Sequence, residues 1–172
     1  SCGNPKSDDN IVVSLGGEVA TIDPHLNTAN IGTVYIRHFF EGLMKKDKEG
    51  KIIPGMAERY DISEDGLIYT FYLRTNAKWS DGKNLTADDF LYSYRRFVDP
   101  NTAAPYGHLM KPIKNALKIT KGEIPVEELG IKKIDDYTLE ITLENPTAYF
   151  LELADMYLPV RKDIIEKFGD TW

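Results

Sequence analysis

The fold is decided by the stretch Leu67-Ile68-Tyr69-Thr70-Phe71-Tyr72-Leu73-Arg74. Apolar side chains occupy every second position of this stretch, so they share one face of an extended chain while the opposite face is mixed. The pair Asp65-Gly66 precedes it and supplies the positive-φ geometry of a hairpin turn. The sequence therefore predicts a strand with one buried face that begins directly after a tight turn.

A helix is predicted after this strand, beginning at Thr86 and stopping at Asp99-Pro100. Thr86 and Asp89 occupy the two positions of a capping box, in which each side chain bonds the other residue's backbone N–H. Aromatic residues spaced by four and then three positions form its apolar stripe: Phe90, Tyr94 and Phe97. The stripe predicts a helix that packs one side against a core.

A second alternating segment lies within residues 131–144. Apolar side chains recur there at every second position: Tyr137, Leu139, Ile141 and Leu143. This spacing predicts one strand with a solvent-facing side, entered through a turn at Asp135-Asp136. Strands and helices alternate irregularly along the chain, so the predicted class is α+β, with helices on a mixed or antiparallel sheet.

Further elements are predicted on both sides of this central region. Residues 11–15 are a short apolar run closed by Gly16-Gly17, which is typical of a buried strand. Helical spacing or helix-start signals are found at residues 31–43, 56–59, 147–154 and 159–167. The first of these helices has Gly42 near its end, where glycine favours termination.

Composition and charge exclude several functional classes. The chain has 172 residues, is 42% hydrophobic and carries a net charge of −6, which is ordinary for a globular domain. Basic residues form no cluster longer than Lys45-Lys46 or Arg95-Arg96, so nucleic-acid binding has no electrostatic support. No apolar run approaches the roughly 18 residues that a membrane-spanning helix needs.

The sequence contains none of the motifs that mark common enzymes or metal sites. It has no Gly-x-Ser-x-Gly elbow and no glycine-rich phosphate loop. His25, His38 and His108 are far apart along the chain, so neither a metal site nor a bound cofactor is predicted. Acidic residues occur as adjacent pairs, whose side chains do not face each other. We therefore expect a binding protein rather than an enzyme.

Cys2 is the only cysteine, so it cannot form an internal disulfide. The polar, proline-containing residues that follow it give residues 1–10 the composition of a flexible tether. One interpretation is a lipid-attachment cysteine exposed by signal-peptide cleavage, with Ser1 as the small residue before the cut. The other is a cysteine without a role. The first predicts a lipoprotein anchored at the extracytoplasmic face of a membrane.

Taken together, eight short motifs resemble the family 5 extracellular solute-binding proteins. They are Ile22-Asp23-Pro24-His25, Phe40-Glu41-Gly42-Leu43, Pro54-Gly55-Met56-Ala57-Glu58, Tyr69-Thr70-Phe71-Tyr72-Leu73-Arg74, Ala77-Lys78-Trp79-Ser80-Asp81-Gly82, Leu85-Thr86-Ala87-Asp88-Asp89-Phe90, Asp99-Pro100-Asn101-Thr102-Ala103 and Tyr137-Thr138-Leu139-Glu140-Ile141-Thr142-Leu143. The last two resemble the oligopeptide-binding branch in particular. The resemblance covers residues 11–172.

This resemblance implies part of a periplasmic-binding-protein-like type II fold, a clamp of two lobes that close over a ligand, with a small extra domain. By similarity, residues 11–44 are the first segment of lobe I and residues 45–157 are the extra α+β domain. Residues 158–172 return into lobe I. The second lobe is absent from the chain, so we expect further sequence after Trp172.

The resemblance also implies the ligand and the partners. Oligopeptide binders of this family hold an extended peptide mainly by its main chain and deliver it to the permease subunits of an ABC transporter. By similarity, Thr28-Ala29-Asn30-Ile31 and Tyr106 meet the peptide. Some members of the family carry an acidic residue where this chain has Thr28, which argues against a charge-based contact at that position.

Two alternatives remain open. The same architecture binds other solutes in related proteins, such as nickel, haem or a sugar oligomer, although the motif at residues 99–103 and the scattered histidines argue against a metal ligand. The fold also suits the ectodomain of a receptor. The function implied by the resemblance is nevertheless the capture of oligopeptides for import.

Overall fold

The computed structural model describes residues 21–169, except for the side chains of Val34, Tyr35 and His38. Cys2 with its tether, the strand predicted at residues 11–15 and Trp172 lie outside the described residues. The helices and strands follow in the order α1 (Asn30–Phe39), β1 (Met44–Lys46), β2 (Ile52–Pro54), β3 (Ala57–Ile62), β4 (Ile68–Leu73), α2 (Ala87–Val98), α3 (Ala116–Thr120), β5 (Ile131–Asp135), β6 (Thr138–Thr142), α4 (Phe150–Met156) and α5 (Lys162–Phe168). Short 3₁₀ helices form at Gly107–Met110 and Val126–Glu128.

The larger sheet is antiparallel and has the strand order β3-β4-β6-β5. In its centre, Phe71 of β4 lies opposite Tyr60 of β3 and opposite Leu139 of β6. Along both β4 and β6, every second side chain is buried and the residues between are half-buried. The strand predicted from residues 67–74 and its single buried face are therefore confirmed. A separate hairpin pairs β1 with β2.

Helix α2 shares one hydrophobic core with the buried face of the larger sheet. Its aromatic stripe is buried as predicted, and the rings of Phe90 and Tyr94 meet edge to face with centroids 6.3 Å apart. The backbone N–H of Thr86 donates to the Asp89 carboxylate at 2.8 Å, which is one half of the predicted capping box. The helix ends before Asp99-Pro100, also as predicted.

The helical piece predicted at residues 56–59 is wrong, because these residues enter strand β3. The backbone N–H of Ala57 donates to the Leu43 carbonyl at 3.1 Å, and that of Met56 donates to the Gly42 carbonyl at 2.9 Å. Pairing with a segment more than ten residues away in the chain thus overrides a weak local preference. The helix predicted at residues 31–43 ends at Phe39, because the backbone of Phe40 is extended.

Residues 131–144 form two strands rather than the one that was predicted. β5 and β6 make an antiparallel hairpin in which Ile131 lies opposite Ile141. The predicted turn at Asp135-Asp136 exists, but it joins these strands instead of leading into one of them. Most side chains of β5 are at least partly exposed. It is an edge strand, which explains why it lacks a clear alternating pattern.

We expect Leu139→Ala to lower the free energy of unfolding by about 2–5 kcal/mol, because the Leu139 side chain is fully buried and its loss leaves a cavity. Glu140→Ala is the matched control, since Glu140 is the next residue of β6 and points to the other, half-buried face. We expect the control to cost less than about 1 kcal/mol. Urea unfolding of both variants measures the difference, and equal losses would contradict the one-sided burial.

Candidate functional site

A cleft of about 200 Å³ lies between α1, the Gly107–Met110 turn and the residues that follow α4. Most of its wall is apolar: Ile36, Phe97, Leu109, Met156 and Leu158. Asn27, Thr33 and Tyr106 add polar groups, and Arg37 is the one described lining residue that carries a charge at neutral pH. An apolar hollow with a few placed polar groups is the usual form of a small-ligand site.

Tyr106 projects into this cleft from the loop that leads into the Gly107–Met110 helix. The residue is 45% exposed, so its ring is accessible to a ligand. The loop behind it is packed closely against α2, because a Cβ added to Gly107 would lie 2.9 Å from the Phe97 carbonyl oxygen. The Tyr157 hydroxyl donates to the Leu109 carbonyl at 2.5 Å and fixes the other end of the turn.

The predicted ligand segment, residues 28–31, lies at the start of α1. It is not itself part of the cleft wall, but Asn27 and Thr33 on either side of it are. The Asn27 amide holds the segment in place: Nδ2 donates to the Ala29 carbonyl at 3.1 Å and to Thr33 Oγ1 at 3.0 Å. Gly32 makes room for this amide, since an added Cβ would lie 2.1 Å from Asn27 Oδ1. The sequence did not single out Asn27.

Arg37 forms an ion pair with the buried carboxylate of Asp155. Its Nη1 donates to Asp155 Oδ1 at 2.7 Å, and the side chains are 43% and 2% exposed, respectively. The second oxygen, Asp155 Oδ2, is buried and has no hydrogen-bond partner among the described residues. Arg37 therefore supplies the compensation that a buried carboxylate requires. The two residues are 118 positions apart in the chain, and no local sequence signal connects them.

A second ion pair, with side chains that are only 9% and 4% exposed, lies next to the cleft. The Arg96 guanidinium binds both oxygens of Asp23, with Nη2–Oδ2 and Nη1–Oδ1 distances of 2.7 and 3.1 Å. The backbone N–H of His25 also donates to Asp23 Oδ1 at 2.9 Å. Burial alone would raise the pKa of Asp23, but the hydrogen bonds and charge of Arg96 hold that pKa below its ordinary value. The carboxylate is therefore ionised at neutral pH.

His25 is neutral in this arrangement, and its contacts set its tautomer. Arg96 Nη1 lies 2.8 Å from His25 Nδ1, which must accept because a guanidinium only donates. The proton is then on Nε2, which donates to the Leu158 carbonyl at 3.0 Å. Burial, with a smaller contribution from the Arg96 charge, lowers the pKa of His25 to about 4. The sequence analysis identified Ile22-Asp23-Pro24-His25 as a motif of the family resemblance, without these contacts.

A larger and more open hollow of about 950 Å³ lies between α2 and α5. Its lining mixes both signs of charge, with Arg95 and Lys162 beside Asp88 and Glu166. It contains none of the residues predicted to meet a ligand. Its volume comes from an open surface groove between two helices, so the smaller cleft at Tyr106 is the candidate site.

Within residues 21–169, no group of three or more His, Cys, Asp and Glu side chains is placed to hold a metal ion. Over the same residues, none of the helices has the length and hydropathy required to span a bilayer. The polar groups at the cleft are an amide, a hydroxyl, a phenol and an ion-paired guanidinium. This set suits hydrogen bonding to a ligand.

Comparison with known proteins identifies the class. Residues 51–172, more than half of the chain, match the family model of the bacterial extracellular solute-binding proteins, family 5, middle region. The chain belongs to this family. The resemblance predicted from the sequence motifs is thereby confirmed.

Similar proteins extend the match beyond the family model. The chain is 44% identical over 166 residues to the periplasmic oligopeptide-binding protein OppA of Escherichia coli, covering 94% of this chain and 30% of that protein. It is 42% identical over 156 residues to the probable deoxycholate-binding periplasmic protein YgiS of the same organism, with coverages of 88% and 29%. The chain therefore spans about a third of the length of these relatives.

A solved structure confirms the fold. The substrate-binding domain of an oligopeptide ABC transporter from Bacillus anthracis superposes with a TM-score of 0.87 at 44% sequence identity, over 90% of this chain and 30% of that one. The predicted α+β class and partial type II periplasmic-binding-protein-like fold are therefore correct.

We expect His25→Gln to reduce the pH dependence of stability between about pH 6.5 and pH 4. The folded pKa of His25, about 4, lies below its ordinary value of 6.5, so the unfolded chain takes up this proton first as the pH falls. The free energy of unfolding then decreases by about 1.4 kcal/mol per pH unit in this window, and His25 contributes no slope above it. Glutamine keeps an acceptor for Arg96 but does not titrate.

Urea unfolding at several pH values measures this slope. His108→Gln is the matched control, because His108 is exposed and makes no comparable buried contact. We expect the control to keep the wild-type slope. A slope that is the same in wild type and His25→Gln would show that the imidazole is not held neutral.

Proposed function

We propose that this chain is part of an extracytoplasmic peptide-binding component of an ABC transporter, which captures oligopeptides for import and alters no covalent bond. The observation that carries the proposal is the cleft in which Tyr106 stands opposite α1. Relatives named for oligopeptide binding, at up to 44% identity, support it. The cleft offers hydrogen-bonding groups on an apolar surface and holds no arrangement of nucleophile and base.

The geometry at the start of α1 suits an extended peptide. The first N–H groups of a helix have no acceptor within the helix, so those of Asn30 and Ile31, which are exposed and half-buried, respectively, remain available for a ligand. Asn27 holds the backbone there, while Thr28, Ala29 and Asn30 are exposed. Hydrogen bonds to the main chain of a peptide are insensitive to its side chains. Tyr106 adds a flat surface with a polar tip against which different residues can pack.

The domain organisation follows the family pattern in this proposal. Residues 45–157 form the small extra domain, and the hydrophobic core that runs from Leu43 to Tyr157 supports this boundary. Residues 11–44 and 158–172 belong to lobe I. The bond between His25 and the Leu158 carbonyl joins these two segments directly, as expected if they are parts of one lobe. The second lobe, with the rest of the ligand site, belongs to the remainder of the protein.

A lipid on Cys2 anchors the protein at the extracytoplasmic face of the membrane, and the permease subunits of the importer are its protein partners. The polar composition of residues 3–10 supports this part of the proposal, because a tether must hold the folded domain away from the bilayer. Relatives that are named as periplasmic proteins agree with an extracytoplasmic location.

A second candidate ligand is an amphipathic acid such as a bile acid. The relative named as a probable deoxycholate-binding protein is 42% identical to this chain. A mostly apolar cleft with the single cation Arg37 also fits a rigid apolar molecule that carries one carboxylate. Peptide remains the first choice because more of the similar proteins are named for oligopeptide binding, at up to 44% identity.

We expect the full-length protein to bind short uncharged peptides of different sequence with similar affinity and to release them unchanged. Isothermal titration calorimetry against a panel of two- to six-residue peptides, with deoxycholate included, measures this. Mass spectrometry of the recovered peptides checks that no bond is cut. Binding of deoxycholate with silence across the peptides would favour the second candidate, and turnover of any peptide would refute the proposal.

In the same titration, Tyr106→Ala is expected to weaken peptide binding by about tenfold, or roughly 1.4 kcal/mol, through loss of the aromatic surface. Tyr149→Ala is the matched control. Tyr149 is 50% exposed, close to the 45% of Tyr106, but it does not line the cleft. Equal effects of the two variants would remove Tyr106 from the site.

The lipid anchor predicts that Cys2→Ser releases the protein from the membrane of its own host. Without a thiol there is no atom for the acyl group to be attached to, and the polar tether has no membrane affinity of its own. Fractionation of cells that express each form, with mass spectrometry of the N-terminal peptide, measures this. A Cys2→Ser protein that still sediments with membranes, or a wild-type peptide without lipid mass, contradicts the anchor.

A further inference from the structure

We propose that Arg37 is a specificity-determining residue, which binds a carboxylate of the bound peptide and gives this cleft a preference for acidic over neutral groups at one ligand position. The inference rests on the proposed function, since it assigns a role within the same cleft. The inference goes beyond the proposed function because it names a chemical group of the ligand and the residue that selects this group. The carboxylate belongs either to an acidic side chain or to the C-terminus of the peptide.

The first observation behind the proposal is the composition of the cleft wall. Arg37 is the one charged side chain among the described lining residues, and the groups around it are mostly apolar. Ile36 and Leu158 beside it are buried, and the other polar groups of this wall are uncharged, so Arg37 is the cation that a carboxylate in the cleft meets. A carboxylate that enters such a wall is stabilised only where a cation meets it.

The second observation behind the proposal is that Asp155 holds one side of the Arg37 guanidinium. Nη1 of Arg37 bonds Asp155 Oδ1 at 2.7 Å, and no other hydrogen bond of this guanidinium to a described residue is formed. A guanidinium has five N–H donors in a planar fork, so donors remain for a second acceptor. Because the side chain is 43% exposed while Asp155 is 2% exposed, one side of Arg37 is fixed and the other is open.

The carboxylate of Asp155 limits how strongly Arg37 can favour an acidic ligand. Asp155 neutralises the formal charge of Arg37, so attraction comes from directed hydrogen bonds rather than from a net positive field. The fixed position reduces the side-chain entropy that Arg37 loses when a ligand binds. A preference of about tenfold for the acidic ligand, the value of one moderate charge-assisted hydrogen bond, is therefore expected.

Calorimetry of the full-length protein tests this with matched peptides. One series replaces each residue of a penta-alanine peptide in turn by Asp or by its neutral isostere Asn. Another compares the free C-terminal acid with the C-terminal amide. We expect the wild-type protein to favour the acidic member by about tenfold in one series at one position, which identifies the source of the carboxylate.

The variants then connect this preference to Arg37. Arg37→Gln with Asp155→Asn keeps a hydrogen-bonded pair of similar shape without either charge, and it is expected to bring the preference close to one. Arg37→Lys keeps the charge for Asp155 but loses the fork, and it is expected to lower the preference severalfold. Arg59→Gln with Asp61→Asn is the matched control, an exposed ion pair at 3.8 Å on β3. We expect the control to keep the wild-type preference.

The outcomes separate this inference from the proposed function. Peptide binding with an unchanged acidic preference in the Arg37 variants, or with no acidic preference in the wild type, overturns the role of Arg37 and leaves peptide capture intact. Failure of the wild type to bind any peptide overturns both. If the double variant does not fold by circular dichroism, Arg37→Lys decides: a preference equal to that of the wild type is the overturning result.

Discussion

The buried guanidinium of Arg96 joins two parts of the chain on which the cleft depends. Arg96 belongs to α2, which packs on the larger sheet, and it binds Asp23 and His25 in the segment that leads into α1. Two charges out of water are tolerated only because each is bonded by the other and by neighbouring groups. Nε2 of His25 in turn donates a hydrogen bond to the Leu158 carbonyl. These bonds fix the relative positions of Pro24 and Leu158, which both line the cleft.

Rigid support and free binding groups are separated in this cleft. Asn27, Asp155 and the Gly107 backbone are buried and hold neighbouring groups in place, whereas Tyr106 and Arg37 remain about half exposed. Such a division reduces the conformational entropy that is lost when a ligand binds, because the supporting groups are already ordered.

Local signals in the sequence were sufficient for the central strand and for α2. The alternation around Phe71 and the capping pair of Thr86 and Asp89 act within a few residues of each other, so they can be read without a structure. Long-range partners could not be read in this way. Arg96 and Asp23 are 73 positions apart, and the strand at Ala57 depends on pairing with β4, where Ala57 lies opposite Leu73, and on the bond to the Leu43 carbonyl. Tyr106 was found by family resemblance, whereas Arg37 had no local signal.

Three stretches of backbone cross at Gly42, Gly55 and Ala154, so closely that an added Cβ at Gly42 would lie 2.5 Å from the Ala154 carbonyl oxygen. No side chain fits at this crossing. The turn between β1 and β2 is different: Gly50 itself has a φ of +82° that strains any other residue, but the neighbouring Lys48 and Glu49 are exposed. A fluorophore or a fused reporter attached at this turn would leave the crossing intact. The hairpin is therefore a natural place for an optical label on this part of the protein.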